Sequence, residues 1–235
     1  MIYKRKIEHV LLGWKKSTDH NPIVIKGVRQ CGKTFSVKAF AAANYENVVY
    51  LDFHEHREYT DYFSGSLDID TLLMNIAAGK PDSVIEPGST CFIFDEIQEC
   101  PAARASLKFW KLDGRFDVIC TGSLLGVNGY SADDESSCSI PVGYEQIVNM
   151  YPMDFEEWLW ANGMKSMHID YLRQCLNDAV PVNDAIHARM QQLLLQYIVV
   201  GGMPKAVTKF LETRHVGEVA KVQRSIIDDY KADML

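Results

Sequence analysis

The chain has 235 residues, 47% of them apolar and 23% charged, which gives it the length and apolar content of a packed core and excludes a disordered chain or a small disulfide knot. Its formal net charge of −7 argues against binding nucleic acid through the whole surface and leaves a local basic patch as the route to such a ligand. The six cysteines, at 31, 91, 100, 120, 138 and 175, include no C-x-x-C pair, and no apolar stretch reads as a membrane span or secretory signal, so the expectation is a reduced, cytoplasmic protein without structural zinc.

A helix is predicted first, over residues 4–16, because Ile7, Val10, Leu11 and Trp14 recur at helical spacing. Asp19-His20-Asn21-Pro22 breaks it, and Ile23-Val24-Ile25 reads as a strand buried on both faces. Strong helix formers fill residues 35–43, a second strand is predicted at 48–53, and helical spacing returns at 68–78. Cys91-Phe92-Ile93-Phe94 is the third strand, Pro101 opens a helix to residue 112, and 116–120 is the fourth strand. This alternation means parallel strands joined by helical crossovers. Residues 126–142 are aperiodic and rich in turn formers and acids, which predicts a mobile surface loop, and 144–150 is read as a fifth strand. After Pro152 the pattern is helical throughout, at 154–162, 166–177, 184–199, 204–212 and 216–232.

Between the first strand and the second helix stands Gly27-Val28-Arg29-Gln30-Cys31-Gly32-Lys33-Thr34, which fits G-x-x-x-x-G-K-[ST] at every fixed position. Glycine leaves room for backbone N–H groups to close around phosphate oxygens, and the helix that follows turns its positive end to the same anion. Lys33 is placed to reach the β- and γ-phosphates as a mobile cation, and the Thr34 hydroxyl to complete a Mg²⁺ shell. The stretch therefore assigns Gly27, Arg29, Gln30, Cys31, Gly32, Lys33, Thr34 and Phe35 to a bound nucleotide. The bland alternative, a glycine turn with an incidental lysine, fits poorly with the strand before it and the helix after it.

About sixty residues further on, Cys91-Phe92-Ile93-Phe94-Asp95-Glu96 is an apolar strand ending in two carboxylates. Asp95 is placed to hold Mg²⁺, and Glu96 to take a proton from the attacking water as general base. Either acid alone is commonly a turn cap; a pair at this distance from a phosphate loop is not. The intervening strand at 48–53 matches P-loop ATPases with an additional strand and a catalytic glutamate. Thr121-Gly122-Ser123 closes the fourth strand with a hydroxyl for the γ-phosphate or the water. Ser123 is favoured over Thr121 in that role, against a turn hydroxyl bonded to its own backbone.

Other signals are weaker. His54-Glu55-His56 places two imidazoles on one strand face, but without a third ligand an exposed loop is preferred to a metal site. Cys31, beside Lys33 and a helix N-terminus, is a candidate for a lowered thiol pKa, or merely a small residue the loop tolerates. Trp158-Leu159-Trp160 is read as docking a helix against the α/β core. Lys205, Lys209, Arg214 and Lys221 form a modest basic face, solvated by default, with DNA contact as the alternative.

Taken together, the residues resemble the prokaryotic predicted ATPases of the AAA+ superfamily, ORC/STAND-like, whose C-terminal half is a domain of unknown function. The likeness rests on Ile25-Lys26-Gly27 and the loop to Thr34, Phe94-Asp95-Glu96-Ile97-Gln98, Thr121-Gly122-Ser123, Tyr151-Pro152-Met153-Asp154-Phe155-Glu156-Glu157 and Val200-Gly201-Gly202-Met203-Pro204. It spans nearly the whole chain. The resemblance implies an α/β P-loop NTPase core with a parallel sheet flanked by helices over residues 1–150, followed by an all-helical segment at 151–235. It implies a Mg²⁺-dependent ATPase that converts ATP to ADP and phosphate to drive conformational change. A regulatory switch with negligible turnover and an ATPase module acting on DNA are the alternatives. ATP is preferred to GTP by the resemblance and by the lack of an Asn/Thr-Lys-x-Asp signature. The family usually carries Gly-Arg before the fifth strand where this chain has Gly143-Tyr144, so no role of that arginine carries over. Relatives continue past Leu235, which makes truncation the expectation. The stripe of Val216, Val219, Val222, Ile226, Ile227 and Tyr230 would then be uncovered, favouring self-association through 216–235. A DNA or protein partner is left unidentified, and a membrane is not expected.

Overall fold

In the computed structural model, which describes residues 3–123 and 143–233, each of the apolar runs is a strand. β1 (Ile23–Gly27), β2 (Asn47–Asp52), β3 (Thr90–Asp95), β4 (Asp117–Ser123) and β5 (Gln146–Asn149) form one parallel sheet in the order β2-β3-β4-β1-β5. Helices α1 (Lys6–Lys16), α2 (Lys33–Asn44), α3 (Ile69–Gly79) and α4 (Pro101–Asp113) accompany the strands, as parallel pairing requires. The expected loop at 126–142 lies outside the described residues.

Period-two alternation explains why the strands read as unbroken apolar runs. On β3, Phe92 and Phe94 pack with Leu72 and Ile76 of α3 and Leu107 and Trp110 of α4. Cys91 and Ile93 point the other way, into a core shared with Leu11 and Trp14 of α1 and Val37 and Phe40 of α2. Burial pushes the Cys91 and Cys120 thiols well above their ordinary pKa, so both act as small inert hydrophobes. Two 3₁₀ segments, Arg57–Phe63 and Ile97–Glu99, were not among the expected elements; each is too short to show a helical period.

The order of strands in space differs from that in the chain. β4 lies between β1 and β3, pairing Ile23 with Ile119 on one side and Val118 with Phe92 on the other. The C-terminal ends of β1, β4, β3 and β2 therefore stand in a row. In parallel α/β sheets this is the edge where ligands bind.

A second unit joins the N-terminal arm, up to Lys6, to the chain from Tyr151 onward, while Ile7–Met150 makes up the first. Its helices are α5 (Phe155–Ala161), α6 (Ser166–Asn177), α7 (Asp184–Val200), α8 (Pro204–Thr213) and α9 (Val216–Asp233). Asp154 starts α5 with a reciprocal capping box: its carboxylate accepts from the Glu157 N–H, and Glu157 accepts from the Asp154 N–H. Glu157 is also ion-paired with Arg5 at 3.1 Å, both side chains being buried, and accepts from the Lys6 N–H. Gly202 is required by a close approach, since a Cβ there would lie 2.0 Å from the Met153 carbonyl oxygen, and its own carbonyl accepts from the Met153 N–H.

Three of the sequence expectations bear on this unit. Trp158 and Leu159, read as docking residues, build the unit's own core with Leu193, Val207 and Phe210. The stripe on α9 is covered in part: Val219 and Ile226 are buried and Val222 packs on the unit's core, whereas Val216 and Ile227 are exposed. The basic face is interrupted, because Lys209 and Lys221 pair with Glu212 and Glu218 and Arg214 lies over the Phe210 ring. Among the described residues, no helix is long and apolar enough to cross a membrane.

Candidate functional site

The site is built at the C-terminal ends of four neighbouring strands. β1 runs into the loop 27–34, and the chain then enters α2 directly at Lys33, with left-handed backbone at Gln30 (φ 63°) and Gly32 (φ 98°) making the turn. α2 thus begins two residues before the sequence pattern predicted, because its first turn is part of the loop. Gly27 has a reason beyond approach to phosphate: a Cβ there would lie 2.2 Å from the carbonyl oxygen of Met150, just past β5.

Arg29, Gln30, Gly32, Lys33, Thr34, Phe35, His54 and Glu96 line one open cleft of about 420 Å³. The buried Lys33 ammonium donates to the carbonyl oxygens of Gly27 and Val28, at 3.0 and 3.1 Å, which leaves one of its three protons for another partner. The Phe35 ring is 52% exposed, so a large apolar face is open to the cleft. Cys31 is part of the loop, but its side chain is fully buried in the core on the α1/α2 side, with Sγ 3.7 Å from the Met150 carbonyl oxygen. Only the Cys31 backbone is left to act within the loop.

Asp95 ends β3 in a buried position, and its carboxylate is gripped by three hydroxyls. Oδ1 accepts from Thr34 at 3.0 Å and from Thr121, and Oδ2 accepts from Tyr50 at 2.6 Å. The topology produces this convergence. Period two puts residues 50 and 52 of β2, 93 and 95 of β3, and 119 and 121 of β4 on the face that meets α2. Burial first, then the neighbouring Asp95 and Asp52 carboxylates, hold the Tyr50 hydroxyl proton well above the ordinary phenol range.

The donor set fits Mg²⁺. A hydroxyl and a carboxylate are hard oxygen ligands, and the 3.0 Å between Thr34 Oγ1 and Asp95 Oδ1 matches adjacent positions of an octahedron with bonds of about 2.1 Å. Glu96 is the first residue beyond β3 and is held in the left-handed region at φ 50°, a conformation that a residue with a Cβ adopts only under constraint. The turn aims its side chain into the cleft, where Gln98 Nε2 donates to Glu96 Oε2 at 2.6 Å. The Glu96 N–H faces the Thr121 hydroxyl at 3.4 Å.

Of the two hydroxyls weighed on β4, Thr121 is buried against Asp95, and Ser123 ends the strand in register with Gly27. Tyr50 and Gln98 were not among the residues expected at the site, and His54, expected only as a weak metal candidate, lines the cleft. His54 is separated from its neighbour in the suspected triplet: it lines the cleft, whereas His56 pairs with Glu58 and stacks on Tyr59. A polar pair, Tyr50 and Asp52, at the end of an apolar strand was the available signal.

The model of the AAA domain family matches residues 19–159. No curated protein matches the chain. Among solved structures, the Walker-type ATPase PABY2304 of Pyrococcus abyssi is 17% identical, with 99% of this chain and 75% of that one covered and a TM-score of 0.52. The ORC2 protein of Aeropyrum pernix (ADPNP–ADP complexes) is 13% identical over 67% of this chain and 49% of its own, with a TM-score of 0.39. PCH-2 of C. elegans is 15% identical over 78% and 50%, with a TM-score of 0.38. At these identities the first likeness is one of fold, and the other two are too distant in structure to carry an argument.

Proposed function

The chain belongs to the AAA domain family, and from that premise we propose that it binds ATP with Mg²⁺ in the cleft under the 27–34 loop and hydrolyses it to ADP and phosphate. One observation carries the reading: Lys33, Thr34 and Glu96 line the same cleft, with Asp95 hydrogen-bonded beneath Thr34. The loop N–H groups and the α2 N-terminus receive the phosphates. Lys33 exchanges its carbonyl partners for phosphate oxygens, and the exposed Phe35 ring offers an apolar face to the nucleotide. Thr34 and Asp95 would hold Mg²⁺, which when bound offsets charge on the phosphate oxygens. Glu96 orients a water for attack on the γ-phosphorus and takes its proton as the bond to the β–γ bridging oxygen breaks. Ser123, at the β4 end, is proposed to hydrogen-bond the γ-phosphate, while Thr121 is committed to Asp95.

A switch with negligible turnover is the second reading. It is favoured by the Gln98–Glu96 hydrogen bond, which occupies one oxygen of the proposed base. The primary test is calorimetric titration of Lys33→Ala with MgATP. Loss of binding by about a hundredfold or more is expected, since a charge-assisted contact to phosphate is worth about 3 kcal/mol. Unchanged affinity would sink the site assignment.

A further inference from the structure

Tyr50, Asp52 and His54 all come from β2 and the turn that follows it, and none is accounted for by the loop or by the Asp95-Glu96 pair. The Tyr50 hydroxyl lies 2.6 Å from Oδ2 of Asp95 and 2.9 Å from Oδ2 of Asp52. It has one proton for two carboxylates, so it ties them together instead of merely filling space between the strands. The Lys38 ammonium of α2, 3.3 Å above the centre of the Tyr50 ring, adds positive charge beside this acidic pair. The other oxygen of Asp52, Oδ1, accepts from the backbone N–H groups of His54 and Glu55 at 3.0 and 2.9 Å. That Asx-type turn sends the exposed His54 side chain into the cleft wall with Lys33, Thr34 and Glu96. A continuous hydrogen-bonded path thus runs from Thr34 through Asp95, Tyr50 and Asp52 to the backbone of His54.

We propose that β2 supplies a further arm of the nucleotide site, in which Tyr50 and Asp52 are positioning residues that hold Asp95 and the His54 turn in one arrangement, and His54 contacts the terminal phosphate of ATP. The inference rests on the nucleotide-binding reading above. It assigns different consequences to the parts of the path. Tyr50 acts through the carboxylate that would hold Mg²⁺, so its hydroxyl matters when the metal is present. His54 acts on the phosphate that distinguishes ATP from ADP. Asp52 acts chiefly through the turn, where its Oδ1 takes two backbone N–H groups, and therefore through His54; Asp95 keeps its own bond to Tyr50 when Asp52 is removed.

The test is a set of calorimetric affinities for ATP and ADP on the full chain, with excess Mg²⁺ and with EDTA. Tyr50→Phe keeps the ring, its packing and the Lys38 contact. It should weaken ATP binding about tenfold with Mg²⁺ and by less than about twofold in EDTA. His54→Ala should weaken ATP about fivefold and leave ADP unchanged, and His54→Gln, which keeps a donor, should recover most of the loss. Asp52→Ala should reproduce the His54→Ala selectivity, with the double variant no weaker than His54→Ala alone. Equal losses for Tyr50→Phe with and without Mg²⁺, no loss in either condition, or additive Asp52 and His54 effects would overturn the proposal. So would a His54→Ala variant that treats ATP and ADP alike. Lys33→Ala, run beside them, separates the two readings. If it binds ATP normally, the site itself is misassigned; if it loses ATP while the β2 variants behave as the parent, the arm alone fails.

Discussion

Replacing Glu96 by Gln separates the enzyme from the switch. The substitution keeps the side-chain length and the left-handed backbone at φ 50°, so whatever constraint the turn imposes is the same in both proteins. The Gln98 hydrogen bond at 2.6 Å passes from a charged acceptor to a neutral one, a loss of about 1 kcal/mol. For a chain of this size that corresponds to a fall in Tm of roughly 2–4 °C. Lys33, Thr34 and Asp95 are untouched, so MgATP affinity should stay within about threefold of the parent. Basicity is lost entirely. A positioned general base is worth about a hundredfold or more, which is about 2.7 kcal/mol on the barrier. Single-turnover phosphate release should therefore slow by at least that factor, and chromatography of the nucleotide retained after incubation should find ATP in the variant where the parent holds ADP. If the parent is clearly active and Glu96→Gln releases phosphate just as fast, Glu96 is not the base and the hydrolytic mechanism is wrong. If the parent itself scarcely turns over, the switch reading takes its place.

Other outcomes follow from single contacts. Cys31, fully buried with its sulfur turned to the Met150 carbonyl, should react with iodoacetamide no faster than the core cysteines, and saturating ATP should not alter its rate; nucleotide-dependent protection, followed by mass spectrometry, would show that the thiol faces the site. Glu157→Ala removes the ion-pair partner of the buried Arg5 guanidinium and half of the α5 capping box, so denaturant unfolding should show a loss of about 3–5 kcal/mol; a loss below about 1 kcal/mol would mean that water reaches Arg5. Asp68 caps α3, and hydrogen bonds from Ser66 and then Thr71 lower its pKa from 3.8 to about 2. Its contribution is present above pH 3.8 and is lost as pH falls through about 2. Asp68→Asn retains an acceptor but does not titrate, so the difference in Tm between the two proteins should change across that window and be flat above it.

The parts of the molecule legible in the sequence were those with local periodicity or fixed spacing. Ile23-Val24-Ile25 and Cys91-Phe92-Ile93-Phe94 announced doubly covered strands because both faces of each are packed. Gly32-Lys33-Thr34 and Asp95-Glu96 announced a phosphate site because few arrangements need those groups at those distances. Tyr50 escaped notice because its role depends on register: only the pairing of Asp52 with Asp95 brings its hydroxyl to the β3 carboxylate. The Cys31 side chain was placed near phosphate by its neighbours in the chain, but a loop that closes its backbone around an anion turns alternate side chains away from it. Part of the α9 stripe, Val219 and Val222, packs against residues from other helices of its unit, which periodicity within one helix does not reveal.

The position of β1 in the sheet also constrains how the chain assembles. β1 is made first among the strands, yet both of its neighbours, β4 and β5, are made about a hundred residues later. β2 and β3, by contrast, pair across a shorter separation and have α3 to cover them. During synthesis the β2–β3 pair has its partners in hand while β1 and the loop after it remain without a sheet to join. Loop closure over that distance must be met before the contacts that reward it exist. The phosphate loop is thus expected to be among the last parts to form, and nucleotide would then stabilise the completed sheet by binding to it, not by guiding early collapse. Pulse-labelled hydrogen exchange during refolding should show amides of 90–95 protected before those of 23–27, with added MgATP slowing unfolding more than it speeds folding.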